Sequence, residues 1–507
     1  MDINNKKFDL LIALLFSLVT GIVVFSFCNN AHPQGDDFAA YILQAKALAD
    51  GTLSQQLRLN VFLHPSVIYA PASESLETLT YVWGFPLMLL PIYLLFGFDI
   101  SQSLCIYYYK LPGIFSFCLF AGVLFLFYRR RFGRGFSLVL CLCMVFSIME
   151  EANHIQTDIP FLLFSMLCFL LSEHFFSQTP GKIKLATGFA LGLSMWAAVE
   201  TRLNGFTVSL LILLEHLFVL WKQKPRGRDL AVDLFPHLLL LALTGITALL
   251  LPIPNSNLSD VGLGSIKNGL IYFYSLFSHW CILLTSYDFL RQADLLAVLA
   301  VVLFMLGLVS HLRQESAYAL LILGTVLVTS SLPYGQGLRY FYNILPLLLL
   351  FIAYGVCVIF HFLQSLWNNI WYRRFLTFLA TTGLIVFSVI RLSSVYSVYS
   401  YILCENQEYA NVASKNLYSE SCIEAYDFLI NNTESDAVVA FCKPRALYLN
   451  SGRVSFRVGL NGHTIEDADY YMEFTENYGK ELSNEIYSSL DTIFDNGQIR
   501  IYRRPDC

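Results

Sequence analysis

Pro33-Gln-Gly-Asp-Asp-Phe-Ala-Ala-Tyr-Ile-Leu-Gln-Ala-Lys-Ala-Leu-Ala-Asp-Gly51 comes a few residues after the first long apolar run of the chain. Two adjacent carboxylates, Asp36 and Asp37, head a segment whose apolar residues Phe38, Tyr41, Ile42, Ala45 and Leu48 recur at helical spacing. An Asp at that point accepts hydrogen bonds from the open N–H groups of a first helical turn, and Gly51 is a natural stop. The pattern predicts an acidic pair held rigidly just outside a membrane. The plainer alternative makes Asp36 the cap of a surface helix.

The surroundings of that stretch are apolar. Of 507 residues 56% are hydrophobic and only 14% charged, with a mean hydropathy of +0.57. Soluble proteins carry roughly 25% charged residues, so most of this chain must be solvated by lipid. A formal charge of -5 and the absence of a basic tail give no sign of a nucleic-acid partner. No paired Cys-x-x-Cys spacing suggests zinc. Cys118, Cys141, Cys143, Cys168 and Cys357 lie in apolar runs and read as small hydrophobes, whereas Cys404, Cys422, Cys442 and Cys507 fall in a polar region that admits disulfides of undetermined connectivity. The run 8–28 follows Lys6 and Lys7, lacks a clear cleavage site, and is expected to stay as a first membrane helix.

Further spans are expected at 106–128, 135–150, 159–177, 185–200, 205–221, 234–252, 292–310, 317–332, 343–363 and 375–391, about eleven in all. Orientation follows from the basic loops. Lys6, Lys7, Arg129–Arg131, Arg134, Lys182, Lys184, Lys222, Lys224, Arg226, Arg228, Arg313, Arg373 and Arg374 share one side under this alternation. Short loops rich in Lys and Arg stay cytoplasmic, so the N-terminus is predicted inside and the C-terminal region outside. The apolar run 79–97 would break the alternation if it crossed. With Pro86 and Pro91 inside it, it is expected to be interfacial or re-entrant on the outer face.

On this scheme the chain divides into a transmembrane domain, 1–391, and an extracytoplasmic domain, 392–507, with a long outer loop at 29–105. The fold class is an all-α polytopic membrane domain with a small C-terminal α/β domain. In the latter, helices are expected at 423–431 and 443–449 and strands at 437–442, 454–458 and 498–503. The unusual polar residues gather outside. They are the 29–105 loop, Glu150-Glu-Ala-Asn-His-Ile-Gln-Thr-Asp-Ile-Pro160, Glu200-Thr-Arg-Leu-Asn-Gly205, the amphipathic 252–291 loop and Leu332–Tyr340. Inner loops hold little beyond Lys and Arg. A transporter or lipid flippase would place charge at mid-membrane beside broken, repeated helices; little charge lies in mid-span and no repeat is visible. Acidic pairs and Arg-Tyr at outer span ends suit an enzyme acting on an amphipathic lipid.

Gly35-Asp36-Asp37 after the first span, Trp83-Gly-Phe-Pro86, Asp158-Ile-Pro-Phe161, Arg202-Leu-Asn-Gly205, Arg339-Tyr340 and Lys443-Pro-Arg-Ala-Leu-Tyr-Leu-Asn-Ser-Gly-Arg453 together resemble the GT-C superfamily of integral-membrane glycosyltransferases. The similarity is to bacterial members akin to polyprenyl-phosphate-mannose protein mannosyltransferases and lipid A aminoarabinose transferases. It spans nearly the whole chain and rests on the order of the motifs, with Asp-Asp here where many relatives have Asp-Glu.

The resemblance implies transfer of a sugar from a polyprenyl-phosphate donor to a lipid, glycan or protein acceptor at the extracytoplasmic face, in a bacterium at the periplasmic side of the inner membrane. Asp36 or Asp37 would take the acceptor proton. Arg339 first, Arg202 second, with Tyr340, would bind the departing phosphate. Glu151, His154 and Asp158 lie on one face if helical and would support the acceptor, although Asp158 ahead of Pro160 reads equally as a helix cap. A carboxylate-rich site admits Mg or Mn on ligand type, held by Glu151, His154 and Asp158 with Asp37, or by whichever of Asp36 and Asp37 is not the base and otherwise orients the acceptor; metal dependence stays open. An O-antigen ligase or polymerase using a diphosphate-linked donor is the neighbouring alternative.

Overall fold

The computed structural model describes residues 3–32, 36–62, 81–99, 105–179, 181–223, 227–252, 293–330, 337–366, 371–372, 374–375, 377–379, 382–383, 412–413, 416–458, 464–476 and 490–505. Residues 253–291 of the 252–291 loop, 331–336, most of the predicted eleventh span, Pro33–Gly35, Cys404 and Cys507 lie outside them.

The described elements begin with α1 (Ile3–Phe27), α2 (Asp37–Asp50), α3 (Leu53–Phe62), α4 (Gly84–Phe96), α5 (Cys105–Arg129) and α6 (Arg134–Ser147). They continue with α7 (Asp158–Phe176), α8 (Lys182–Thr201), α9 (Gly205–Gln223), α10 (Arg228–Leu250), α11 (Ala293–His311), α12 (Ser316–Ser330) and α13 (Leu345–Ser365). Each of the first ten predicted spans overlies a helix. Among the described residues six helices are long and apolar enough to cross a bilayer: Asn5–Phe27, Cys105–Arg129, Asp158–Phe176, Gly205–Lys222, Asp229–Leu250 and Leu345–Ser365. The 25 residues of α1 reach about 37 Å, beyond the ~30 Å hydrocarbon core. This is an integral membrane protein. The 13 residues of α4 reach only about 20 Å, too short to cross alone.

The bundle is built by burying one face of each helix and leaving another for lipid. Leu14, Leu18 and Ile22 of α1 are exposed, while its Ala13, Val24 and Phe27 join Phe117, Phe120 and Leu124 of α5 in the main core. Helices α11 and α13 cross so closely that a Cβ on Gly307 would overlap the Phe351 carbonyl, and one on Gly355 the Leu303 carbonyl. Small residues let membrane helices approach in this way. Gly307→Ala or Gly355→Ala is therefore expected to cost about 1–3 kcal/mol, read as a lower thermal midpoint of the detergent-solubilised protein.

At one end of the bundle the Arg129–Arg134 cluster is not a bare run of charge. Asp9 accepts from Arg129 Nε (3.2 Å) and Arg134 Nε (2.6 Å). Arg131 binds Glu315 (2.7 Å) and Glu173, with the Tyr318 and Tyr354 hydroxyls donating to the same carboxylates. Asp9 and Glu173 stand in α1 and α7, and Glu315 in the loop before α12, where the inner loops were expected to hold little beyond Lys and Arg. These carboxylates, far apart in the chain, meet the cluster only after folding.

The C-terminal part adds α14 (Glu420–Asn432), α15 (Pro444–Ser451) and five strands, β1 (Val438–Ala440), β2 (Val454–Phe456), β3 (Tyr470–Phe474), β4 (Asp491–Asp495) and β5 (Ile499–Arg503). The sheet order is β2-β1-β3-β5-β4, with β2 and β3 parallel to β1, and β5 antiparallel to both β3 and β4. Strands β3 and β4 went unpredicted. Leu429, Val439, Leu447 and Ile501 of this unit share one core with Phe38 and Ile42 of α2 and Phe85 of α4. That shared apolar contact seats the C-terminal unit on the acidic segment. Cys422 is buried as a free thiol.

Candidate functional site

The two carboxylates of the acidic pair have different surroundings. Helix α2 starts at Asp37, and Asp36 at its N-cap position makes no side-chain capping bond to it. Instead the Asp36 carboxylate accepts the backbone N–H groups of Arg445 (3.3 Å) and Ala446 (3.0 Å), in the first turn of α15. The predicted cap of its own helix is not made. Asp36 caps a helix more than 400 residues away. It is only 6% exposed, and burial pushes its carboxyl up to about 6 against the pull of Arg445 and the Ala446 N–H.

Asp37 keeps 46% of its side chain exposed. Its Oδ1 accepts from the Tyr81 hydroxyl (2.8 Å) and from Arg445 Nη1 (3.1 Å), and the same Nη1 reaches the Tyr81 oxygen at 2.7 Å. Burial works against the Arg445 charge, but Tyr81, Asp36 and Asp37 outweigh it.

Tyr41, one turn along α2, joins this cluster to a second. Its ring packs edge-on to Tyr81 (4.9 Å), and its hydroxyl hydrogen-bonds Thr157. Next to Thr157, Asp158 is fully buried between two guanidinium groups: it is ion-paired to Arg202 and accepts from Arg339 Nε at 3.2 Å. Arg202 also lies over the Tyr340 ring, 4.9 Å from its centroid. The negative charge of Asp37 reaches Arg202, and with Arg202 and Arg339 it acts on Tyr41. Asp37, Arg202, Arg339 and Tyr340 therefore occupy one neighbourhood, although they come from three separate parts of the chain.

Glu151, His154 and Asp158 do not share one helical face. Met149–Asn153 is a short 3-10 turn, and α7 begins only at Asp158. Asp158 makes no capping bond, because its carboxylate turns to the arginines; Thr157 holds the N-cap position. Glu151 instead accepts from the Tyr342 hydroxyl (2.6 Å), Gln156 Nε2 (2.7 Å) and His154 Nδ1 (3.3 Å). Burial alone would raise its pKa, but these donors outweigh it and hold the carboxyl at about 2. A folded-state value below the unfolded one stabilises above about 4.5 and is lost as pH falls towards 2. Glu151→Gln should thus lower stability by about 2–3 kcal/mol at pH 7, with the gap to wild type closing on acidification; melting curves from pH 7 to 3 would show it.

Two anchors set these groups. Lys110 of α5, fully buried, donates to the Asn29 and Ala31 carbonyls (2.8 and 2.5 Å) and to Asn153 Oδ1 (2.8 Å), using all three N–H bonds to pin the segment before Asp36. Trp83-Gly-Phe-Pro86 abuts the end of α8. The Trp83 backbone N–H bonds the Glu200 carboxylate, its indole Nε1 donates to the Pro252 carbonyl (2.8 Å), and a Cβ on Gly84 would stand 2.6 Å from the Glu200 carbonyl carbon and oxygen. Only glycine permits that approach, and Arg202 follows two residues later. Among the described residues no group of three or more His, Cys, Asp or Glu is arranged to hold a metal ion.

No family model matches the chain, and no curated protein matches it by sequence. Among solved structures, it superposes on ArnT from Cupriavidus metallidurans bound to undecaprenyl phosphate with a TM-score of 0.57 at 12% identity, over 96% of this chain and 97% of that one. The chain has the GT-C fold. The archaeal oligosaccharyltransferase AglB from Archaeoglobus fulgidus, in complex with an inhibitory peptide and a dolichol-phosphate, shares this GT-C fold at a TM-score of 0.52 and 11% identity, over 92% of this chain and 70% of that one.

Sequence reasoning missed Arg445, Tyr81, Tyr342 and Lys110 as parts of the site. Arg445 sits in a stretch already quoted for the GT-C resemblance, next to a helix-starting Pro444, and Tyr81 lies in the run 79–97 that is expected to be interfacial or re-entrant. An arginine and a lysine inside otherwise apolar surroundings were the available signal, since such charges are buried only with partners.

Proposed function

We propose that this protein is a membrane glycosyltransferase that moves a sugar from a polyprenyl-phosphate-linked donor to a lipid, glycan or protein acceptor. The observation that carries this reading is the nearness of a half-exposed carboxylate, Asp37, to the Asp158–Arg202–Arg339 cluster within a GT-C fold. Undecaprenyl phosphate in the ArnT structure and dolichol-phosphate in the AglB structure support the donor class.

In this mechanism Asp37 takes the proton of the acceptor hydroxyl as its oxygen bonds to C1 of the sugar. The bond from C1 to the phosphate oxygen breaks, and its electron pair leaves with the polyprenyl phosphate. Arg339, with 36% of its side chain exposed, meets that phosphate, and Arg202 and Tyr340 back it. Asp158 neutralises one of the two guanidinium charges and fixes both. Glu151 and His154 support the acceptor side. The same reading gives the chain about eleven crossings. Residues 1–391 form the membrane domain and 392–507 an outer domain, with the site facing the periplasm of a bacterial inner membrane. A divalent ion has no assigned ligands in this scheme.

The test supplies membranes containing the full chain with polyprenyl phosphates that each carry one labelled hexose or pentose. Label should move to a lipid, glycan or protein fraction, and Arg339→Ala should raise the donor KM about tenfold or more with the thermal midpoint little changed. Translocation across vesicles without covalent transfer would overturn the reading in favour of a flippase, and transfer only from diphosphate-linked donors in favour of a ligase or polymerase.

A further inference from the structure

The base proposed above is touched by the C-terminal unit, and the other member of the acidic pair holds that unit in place. Helix α15 has no cap of its own, since Lys443 at its N-cap makes no side-chain bond. The open N–H groups of its first turn are taken by Asp36, a carboxylate from the segment after the first membrane helix. The residues whose N–H groups are held are Ala446 (3.0 Å) and Arg445 (3.3 Å). The Arg445 side chain, 2% exposed, turns back to Asp37 Oδ1 and to the Tyr81 oxygen. Asp36 grips the backbone of Arg445, and Arg445 grips the side chain of Asp37.

We propose that Asp36 and Arg445 work as one clasp, in which Asp36 seats α15 and α15 delivers a guanidinium that orients the Asp37 carboxylate for proton transfer. The inference rests on the glycosyltransferase reading. It makes Asp36 and Arg445 positioning residues, leaves Asp37 as the group that meets the acceptor, and makes the C-terminal unit an integral part of the site. The clasp assigns each carboxylate a separate task. The buried one cannot reach an acceptor, and the half-exposed one holds its orientation through Tyr81 and Arg445 together. Among the described residues, the charged and titratable groups that act on Asp37 include Arg445, Tyr81, Tyr41, Arg202 and Asp36. Of these Arg445 is the cation in direct contact, so its removal raises the pH at which Asp37 becomes a base.

The experiment uses full-length protein and the labelled polyprenyl-phosphate sugar and acceptor fraction that give transfer above. It compares Asp36→Ala, Arg445→Gln, Arg445→Lys, the Asp36→Ala/Arg445→Gln double variant and Asp37→Asn. Asp36→Ala and Arg445→Gln should each lower kcat about 10–100-fold with the donor KM changed less than about threefold. The double variant should be no slower than the slower single one, because Asp36 acts through Arg445. The acid limb of the kcat/KM profile should move to higher pH by about one unit in Arg445→Gln and return in Arg445→Lys. Losses that multiply in the double variant, or an acid limb unmoved in Arg445→Gln while Asp37→Asn is inactive, would overturn the clasp and leave the glycosyltransferase reading standing. Wild-type turnover by Asp37→Asn would overturn the catalytic assignment and the clasp with it.

Discussion

Asp37→Asn is expected to slow sugar transfer by about 10²–10⁴-fold while leaving the thermal midpoint within a few degrees of wild type. An amide is nearly the same size as a carboxylate and still accepts from Tyr81 and Arg445 through its oxygen. The side chain is half exposed, so little packing is lost. What disappears is the capacity to take a proton from the attacking hydroxyl. Donor binding should survive, because the groups proposed to bind the phosphate stand on other elements. The measurement is kcat and donor KM in the labelled-sugar assay, beside a melting curve of the same preparation. An Asp37→Asn enzyme with normal kcat would remove this residue from the reaction.

Asp158→Ala is expected to cost about 3–5 kcal/mol of stability and to abolish transfer as well. Asp158 is fully buried and bound by Arg202 and Arg339, whose side chains are 13% and 36% exposed. Without it, two guanidinium groups lie close together with no carboxylate between them, and both desolvation and like-charge repulsion act against the fold. Asp158→Asn should fall between, since it keeps hydrogen-bond acceptance without charge. Pairing Asp158→Ala with Arg202→Met should recover part of the loss, because it removes one of the orphaned charges. Thermal unfolding in detergent gives the comparison. A wild-type midpoint for Asp158→Ala would mean that the arginines are held by something else.

Much of the architecture was legible because it follows from quantities that are local along the chain. Long apolar runs predicted the helices, and the ten expected spans before residue 365 each coincide with one. The fall in hydropathy after Arg391 announced the α/β unit, and the helix starting at Pro444 was anticipated to within a residue. Strands β3 and β4 escaped notice because β3 is buried along its whole length, which erases the alternation of a half-buried strand, and β4 is a mostly exposed edge.

The candidate site was legible as a list of residues and far less so as a set of roles. Asp36, Asp37, Arg202, Arg339, Tyr340 and Asp158 were all picked out. Yet Glu151 and Asp158 were grouped on helical spacing that the 3-10 turn breaks. Asp36 and Asp37 could not be told apart, because neighbours one position apart have the same composition around them.

Composition, period and motif order, properties read within a window of residues, determined that the chain is a polytopic membrane protein with an acidic pair after its first helix. Which carboxylate faces solvent and which one caps a helix was decided by Arg445, 408 positions downstream of Asp37. The task of Asp158 was likewise decided by Arg202 and Arg339, brought to it by the crossing of separate helices. A carboxylate's chemistry depends on the charges and donors within a few ångströms. Folding chooses those neighbours, and separation along the chain carries almost no information about them.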